Sequence, residues 1–365
     1  MVEIGADPST AAEAGFGRKR VRFQTVIFPD SPSARDAWIV ARRGPRNRLD
    51  PTSAYASFIE NETDESGHAA EVTTVFLTNR ECPWRCLMCD LWQNTLEVSV
   101  PPGAIPAQIS KALTALHPSG IRHPASVPRP FLKLYNAGSF FDTAAIPHSD
   151  YEAIARLCSP FDRVIVESHP ALINRRFDEF HSLLQIHREG ASTAAVLEVA
   201  LGLETIHPVA RDRLNKRVSL DQFRTAACRV VESGALLRCF VLVAPPFLGG
   251  DDPIASAVET ARFAFDCGAS VVALIPTRGG NGAMEQLLAS GDWTPPGLVQ
   301  LEQAFDLTFA QRPSKRSGVR VFADTWDLER FSDCPACFPA RKARLERMNL
   351  HQQAEAPLTC VSCGR

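Results

Sequence analysis

Three cysteines, Cys82, Cys86 and Cys89, stand in the spacing C-x3-C-x2-C within Glu81–Asp90, directly after the apolar run Val72–Thr78. Three thiolates make a soft-metal site that is one ligand short of the four taken by a structural zinc or an iron–sulfur cluster. A coordination place left open is where a reacting molecule can bind, as in catalytic zinc sites. The spacing i, i+4, i+7 also fits small buried thiols on one helix face. Pro83 opposes that alternative, since it suits the first helical position and not an interior, and Trp84 and Arg85 break the apolar pattern. A zinc site completed by one more residue is a further alternative, with Asp90 or His169 as the fourth ligand.

A second set lies near the end of the sequence. Cys334-x2-Cys337 and Cys360-x2-Cys363 form two knuckles with 22 residues between them, close to zinc-ribbon spacing. Four thiolates close a structural zinc site or hold a second [4Fe–4S] cluster, and such a staple fastens a small lobe that cannot bury enough core alone. The remaining cysteines, Cys158, Cys228, Cys239 and Cys267, stand singly in apolar stretches and read as buried small hydrophobes. Met1–Gly17 lacks the basic and apolar regions of a secretory signal, so the eleven cysteines argue for metal ligation and reduced thiols in the cytoplasm. No apolar run approaches the roughly 20 residues of a membrane span.

These residues need elements to position them. The 365-residue chain is long enough for one large α/β domain with appendages, and its 45% hydrophobic and 22% charged content is ordinary for a globular protein. Strand-like runs are Val72–Thr78, Phe131–Tyr135, Arg163–Glu167, Val196–Leu203, Leu236–Ala244 and Ser270–Ile275. Helix-like runs alternate with them: Ile105–Leu116, Tyr151–Leu157, Ile173–His187, Leu220–Ser233 and Ile254–Asp266. Asp150 and Ser219 are expected as N-caps, and Gly190, Gly234 and Gly268 near helix ends. Alternation of this kind implies parallel βαβ units, hence an α/β barrel or a doubly wound sheet. Past Gly282 the expected elements are a helix at Leu298–Phe309, a strand at Val319–Phe322 and a basic helix at Arg341–Arg347.

The expected organisation has three parts: residues 1–70 as an N-terminal extension, 71–282 as the core, and 283–365 as a Cys-rich lobe. Residues 1–17 are small and polar and read as disordered. Arginine is dense from Arg18 to Arg48, which reads as a solvated or partly ordered extension, with an anionic partner such as RNA as the alternative. Asn61–Gly67 reads as a linker. The net charge of −2 gives no global sign of nucleic-acid binding.

Active sites of parallel α/β folds gather at the C-terminal ends of strands. After the first strand comes the cysteine loop, and after the second Asn136-Ala137-Gly138-Ser139-Phe140. The third ends in Glu167-Ser168-His169-Pro170, the fourth in Gly202-Leu203-Glu204-Thr205, and the sixth runs into Pro276-Thr277-Arg278. Polar residues thus converge on the rim that carries the cysteines.

With the cysteine loop and these rim segments, the sequence resembles the radical S-adenosylmethionine (SAM) superfamily over roughly residues 72–280, with a core like the elongator-catalytic-subunit and methylthiotransferase branches. The resemblance implies a partial (β/α)6 TIM-like barrel. It implies that Cys82, Cys86 and Cys89 hold three irons of a [4Fe–4S] cluster whose fourth iron is chelated by SAM. An electron, delivered by a reductase or a flavodoxin- or ferredoxin-type donor, would then cleave SAM to methionine and a 5′-deoxyadenosyl radical that abstracts hydrogen from the substrate. Gly138 and Ser139 stand where the family contacts the SAM amino group, Glu167 in a Glu-x-x-Pro segment, and Glu204 where a polar side chain meets the ribose. Arg217 stands where a basic residue approaches the SAM carboxylate. Met88 departs from the aromatic residue usual before the third cysteine, although a thioether can still pack on adenine. Lys133-Leu-Tyr-Asn136-Ala-Gly138-Ser139-Phe140, Glu204 and Ala244-Pro-Pro-Phe-Leu248 are similar to the archaeosine synthase radical SAM subunit family, which implies a 7-deazaguanine base in tRNA as substrate. The alternative from another class is a zinc-stabilised RNA-binding protein without radical catalysis.

Overall fold

The computed structural model describes residues 28–121, 130–187 and 195–364. Helix α1 (Pro32–Val40) precedes the hairpin of β1 (Ala56–Thr63) and β2 (Ala69–Leu77). There follow α2 (Ala104–Leu116), β3 (Phe131–Asn136), α3 (Tyr151–Cys158), β4 (Arg163–Ser168), α4 (Arg175–Ile186) and β5 (Val196–Glu204). Next come α5 (Pro208–Arg213), α6 (Leu220–Glu232), β6 (Leu236–Val243), α7 (Pro253–Asp266) and β7 (Val271–Pro276). The last elements are α8 (Ala283–Ser290), α9 (Leu298–Ala310), β8 (Arg320–Ala323) and α10 (Phe338–His351).

All strands join one sheet in the order β1 to β8, with β1 antiparallel to β2 and every later pair parallel. Parallel neighbours need crossovers, and the helices supply them on the outer face. There Val75, Leu134, Val166, Val199 and Val241 pack against Ile105 and Ile109 of α2, Phe177 and Phe180 of α4 and Phe223 of α6 in the main core. The sheet curls into a half-barrel, as the family resemblance implies. Helix boundaries follow cap chemistry. Ser219 forms a capping box with Gln222. Asp150, expected as the cap of α3, makes no such bond; its carboxylate instead accepts from the Gly103 amide at the start of α2 (2.8 Å).

The inward face of the half-barrel has two layers. Near the N-terminal ends of the strands it is charged: Lys133 lies 2.6 Å from Glu62, and Glu198 takes Arg238 at 2.6 Å and Arg163 at 3.3 Å. Burial opposes the Glu62 charge, but Arg238 and Lys133 hold its carboxyl well below the usual range. Above this floor, Phe76, Tyr135, Glu167, Phe240 and Ile275 are partly exposed although their strand neighbours are buried. The interior is therefore open toward the C-terminal ends.

The far edge of the sheet is closed by side chains. Asn349 of α10 accepts from the Ala323 amide (2.9 Å) and donates to its carbonyl (2.8 Å), and Gln352 does the same at Val321 (3.0 and 2.9 Å). Two amide side chains thus satisfy the free edge of β8, which would otherwise be a template for pairing. Thr63 of β1 donates to the Asn349 carbonyl (3.1 Å), so α10 bridges β8 and β1.

Several expectations change. Asn61–Gly67 is not a linker: its first residues end β1 and the rest form the hairpin turn. Polar composition misleads here because β1 is an edge strand with mostly half-exposed positions. The arginines of 35–46 are not a solvated run. Arg35 is buried against Asp212, and Arg43 and Arg46 grip Glu81. Cys158, Cys239 and Cys267 are buried as expected, but Cys228 lies on the solvent face of α6. The expected disorder of residues 1–17, the arginines from 18 to 22 and Gly190 lie outside the described residues. No described helix is long and apolar enough to cross a membrane.

Candidate active site

The cysteine loop leaves the sheet at the end of β2. Gln108 of α2 anchors its start by accepting from the Thr78 amide and donating to the Thr78 carbonyl, each at 2.8 Å. The loop base is pinned by Leu96, whose amide donates to Asn79 (2.9 Å) and whose carbonyl accepts from Glu81 (3.1 Å). Residues 81–90 contain neither helix nor strand, so the one-face helix alternative fails. Their backbone is held from outside: Leu87 N–H donates to Leu214 O (2.9 Å), and Asn215 and Asn281 donate to the carbonyls of Arg85 (2.9 Å) and Leu87 (2.7 Å).

Burial pushes all three loop thiols upward, Cys86 to about 12 and Cys89 well above its usual value, although Lys216 opposes the shift at Cys86. Without a metal the loop therefore holds thiols. A coordinated metal ion deprotonates them outright.

The other rim residues surround this loop. A Cβ built on Gly138 would lie 3.4 Å from Cys82 Cβ and 3.5 Å from the Nδ2 atoms of Asn79 and Asn136. Asn136 is 2% exposed, yet its Oδ1 and Nδ2 have no hydrogen-bond partner, and Asn79 Oδ1 is likewise unpartnered. A buried amide left unsatisfied costs about 1–3 kcal/mol, so these groups can take a polar partner beside the cysteine loop. Ser139 Oγ accepts from the His169 amide (2.9 Å) and Phe140 N–H donates to Glu167 O (2.8 Å), which sews the glycine turn to the end of β4.

Glu167 is pushed up to about 8, chiefly by burial, with Lys216 opposing and Glu204 adding to the shift. His169 stacks on Trp84 of the cysteine loop at 3.6 Å and 12°. Its Nδ1 accepts from the Ala171 amide (3.2 Å) and its Nε2 lies 3.0 Å from the Lys216 carbonyl, a pattern that assigns the proton to Nε2. Burial, with Lys216 adding, lowers this imidazole to about 3, so it stays neutral.

Glu204 follows a bulge in β5 and carries a φ of 64°. Its carboxylate meets Lys216 Nζ at 2.6 Å. The pair crosses Gly202 so closely that a Cβ there would lie 2.1 Å from Glu204 Oε1 and 2.2 Å from Lys216 Nζ. Asn215, Arg217, Ala244 and Phe247 are also left-handed, so strained non-glycine backbone gathers at this end of the sheet.

The structure brings Cys82, Cys86, Cys89, Gly138, Ser139, Glu167 and Glu204 together at one rim. Arg217 is held by the N-terminal segment, its guanidinium binding Asp36 (2.5 Å) and the Pro32 carbonyl (3.1 Å), and it still acts on Cys86 electrostatically. Lys216 is the cation that faces Glu204, Glu167 and Cys86. Sequence reasoning missed it because side-chain direction in an irregular turn has no period. It also missed Asn79 and the Trp84–His169 stack, whereas Asn136 was already expected on the rim. Met88 is partly buried and packs with Phe28, Ile39, Leu87 and Met284.

Aromatic rings line the chamber below the rim. Phe76 has Tyr135 at 6.1 Å and Trp326 at 6.3 Å, Phe58 has Trp326 at 5.4 Å, and Tyr135 has Phe240 at 6.3 Å between centroids. Trp326 is 55% exposed. Burial raises the Tyr55 hydroxyl, and Glu167, Asp90 and Cys89 beside it add to the shift.

The second cysteine set differs in form. Cys334, Cys337, Cys360 and Cys363 bring their sulfurs within 4.8 Å of one another, the only such group among the described residues. Cys337 and Cys363 are 3.9 Å apart, and Arg341 Nε donates to Cys337 Sγ at 3.2 Å. The Cys363 amide lowers Cys360 to about 6, while Cys337 is raised to about 11 as the four thiols share their protons. Arg341 pairs with Glu302 of α9, and Arg344 holds the tail through the carbonyls of Glu355 (2.6 Å) and Ala356 (3.0 Å).

No protein-family model matches the chain. An uncharacterized protein of Methanocaldococcus jannaschii is 23% identical over 232 residues, which cover 60% of each chain. Archaeosine synthase subunit beta of Thermococcus kodakarensis is 26% identical over 179 residues, 48% of this chain and 51% of that one. The chain thus spans 60% and 51% of the lengths of these two relatives. Among solved structures, the archaeal Elp3 of Methanocaldococcus infernus aligns with a TM-score of 0.48 at 13% identity, over 76% of this chain and 63% of that one. Streptococcus suis SuiB bound to S-adenosylmethionine aligns with a TM-score of 0.46 at 11% identity, over 69% and 51%. The chain is thus similar to these proteins over part of its length.

Proposed function

We propose that this chain is a radical SAM enzyme acting on a planar nucleobase, with a deazaguanine-type base in tRNA as the leading candidate. The observation that carries the reading is the position of three thiols at the C-terminal mouth of a half-barrel whose aromatic interior stays open. Cys82, Cys86 and Cys89 would hold a [4Fe–4S] cluster, leaving its fourth iron for SAM. Bound there, the cluster would supply the electron for reductive cleavage of SAM. The unpartnered Asn136 amide and the Gly138–Ser139 turn fit the polar end of SAM, and the Glu204 carboxylate fits a ribose diol. Arg217 would act on the SAM carboxylate only after leaving Asp36, and Lys216 is the better-placed cation. Met88 would pack against adenine. The rings of Phe76, Tyr135, Phe240 and Trp326 would stack a flat base and exclude water from the reacting carbon.

The four C-terminal sulfurs suit one zinc ion. At a zinc–sulfur distance of about 2.3 Å, tetrahedral geometry puts sulfurs about 3.8 Å apart, and Cys337 and Cys363 are 3.9 Å apart. Four thiolates on four separate irons of a second cluster would stand farther apart. The catalytic residues would lie within 71–282, while β1 from the segment 1–70 and β8 and α10 from the lobe 283–365 complete the same sheet and its edge. A ferredoxin- or flavodoxin-type donor in the cytoplasm would supply the electron.

Anaerobic reconstitution with iron and sulfide, then reduction with SAM, should release 5′-deoxyadenosine. Adding deazaguanine-bearing tRNA should change the mass of that nucleoside. A protein that binds zinc but no iron, and cleaves no SAM, sinks the enzymatic reading; cleavage without any change in tRNA sinks only the substrate.

A further inference from the structure

Residues 28–48 are wrapped around the cysteine loop and are not an appendage. Phe28 packs on Trp38 and Phe247, each at 5.1 Å between centroids, and with Ile39 it covers Leu87 and Met88 of the loop. Arg35, 4% exposed, donates to the Pro29 carbonyl (2.9 Å), the Asp212 carbonyl (2.8 Å) and the Asp212 carboxylate (2.7 Å). Asp36 accepts from Asn215 (2.8 Å), whose amide also donates to the Arg85 carbonyl (2.9 Å). The Arg42 carbonyl lies where a Cβ on Gly282 would sit, at 1.9 Å, so that glycine is needed for the segment to pass.

The tightest grip is on Glu81, the residue before the first cysteine. Its side chain is 7% exposed and takes Arg43 at 2.7 Å, Arg46 at 2.5 Å and Arg85 at 3.1 Å. Arg46 also donates to the Trp92 carbonyl (2.8 Å) and to Thr95, while Arg43 lies over the Trp92 ring at 4.8 Å. The loop has no regular structure, so it cannot hold three sulfurs in register by its own backbone bonds. The three guanidiniums fix the carboxylate from two directions, within the loop and from the strap.

We propose that residues 28–48 form a strap that presets the cysteine loop for its cluster, with Glu81 as the positioning residue through which the strap acts. This rests on the radical SAM reading, since it assigns the strap's task at the cluster loop. A strap of this kind determines how long the cluster stays bound and how evenly its ligands are spaced, more than whether the barrel folds.

The test uses the full chain, reconstituted anaerobically, in wild type, Glu81→Gln, Glu81→Asp and Arg43→Ala/Arg46→Ala forms. Cluster loss to a chelator is followed by visible absorbance, the reduced cluster by electron paramagnetic resonance, and folding by zinc content and thermal midpoint. Outer-shell partners of metal sites are worth about tenfold or more in metal affinity. Glu81→Gln and the double arginine variant should therefore lose the cluster about tenfold faster, with a broadened resonance and zinc content unchanged, and Glu81→Asp should recover part of the loss. Wild-type loss rates and resonance in Glu81→Gln overturn the proposal. So does a parallel fall of zinc, thermal midpoint and cluster, which marks a merely structural role. If Glu81→Gln does not fold, Arg46→Ala decides by the same criteria, because that side chain is 27% exposed. A wild-type protein that takes up no cluster refutes the enzymatic reading instead.

Discussion

The two cysteine sets solve the same problem in opposite ways. The C-terminal four are self-sufficient: two short knuckles gather all sulfurs within 4.8 Å, a local amide lowers Cys360, and Arg341 donates to Cys337. The N-terminal three depend on everything around them. Leu214, Asn215, Asn281, Glu81 with its arginines, and the Trp84–His169 stack hold a loop that contains no helix or strand. A closed single-ion site can be built from sequence-local turns. An open site must keep one face free for a reactant, so its rigidity has to come from elements distant in sequence.

The largest test of this contrast is to remove one ligand from each set. Cys86→Ala should abolish iron uptake and SAM cleavage outright while leaving zinc in place. Cys360→Ala should release the metal, free the 353–364 tail to proteolysis and lower the thermal midpoint by several degrees, with SAM cleavage retained. Metal analysis and limited proteolysis of both variants check the prediction, and loss of both metals in either variant would erase the distinction.

A smaller effect is expected at the ion pair beside the open site. Glu204→Gln leaves the Lys216 ammonium, 15% exposed in its side chain, without its carboxylate partner. Breaking a buried pair in this way costs about 3 kcal/mol, and Glu204→Gln with Lys216→Met should recover most of it. Denaturant midpoints measure both. Equal midpoints for the single and double variants would mean the pair is not coupled.

The smallest effect is in pH. Glu167 titrates near 8 in the folded chain against 4.5 ordinarily. Between those values the unfolded chain has released the proton and the folded chain has kept it, so stability falls as pH rises and is lowest above about 8. Glu167→Gln removes that slope. The melting difference from wild type should be near zero at pH 4.5 and grow toward pH 8, and a constant offset would place the Glu167 carboxyl in its ordinary range.

Much of the frame was legible in the chain itself. The strands β2 to β7 and their helices follow from apolar periodicity, and Ser219 marks a helix start by its own chemistry. The hairpin strand β1 was not legible, because an edge strand with polar, half-exposed positions looks like a linker. Nor was the engagement of Arg35, Arg43 and Arg46, since a run of arginines carries no record of which carboxylates it will meet.

What the sequence determined is therefore local and periodic: the ligand spacings, the alternation of elements, and the placing of polar residues at strand ends. The tertiary structure decided what depends on direction and distance. It turned Lys216 rather than Arg217 toward Glu204, left the Asn136 amide without a partner beside Cys82, and closed the sheet edge with Asn349 and Gln352. Those outcomes arise in irregular turns and between remote segments, where no repeating pattern records which way a side chain points.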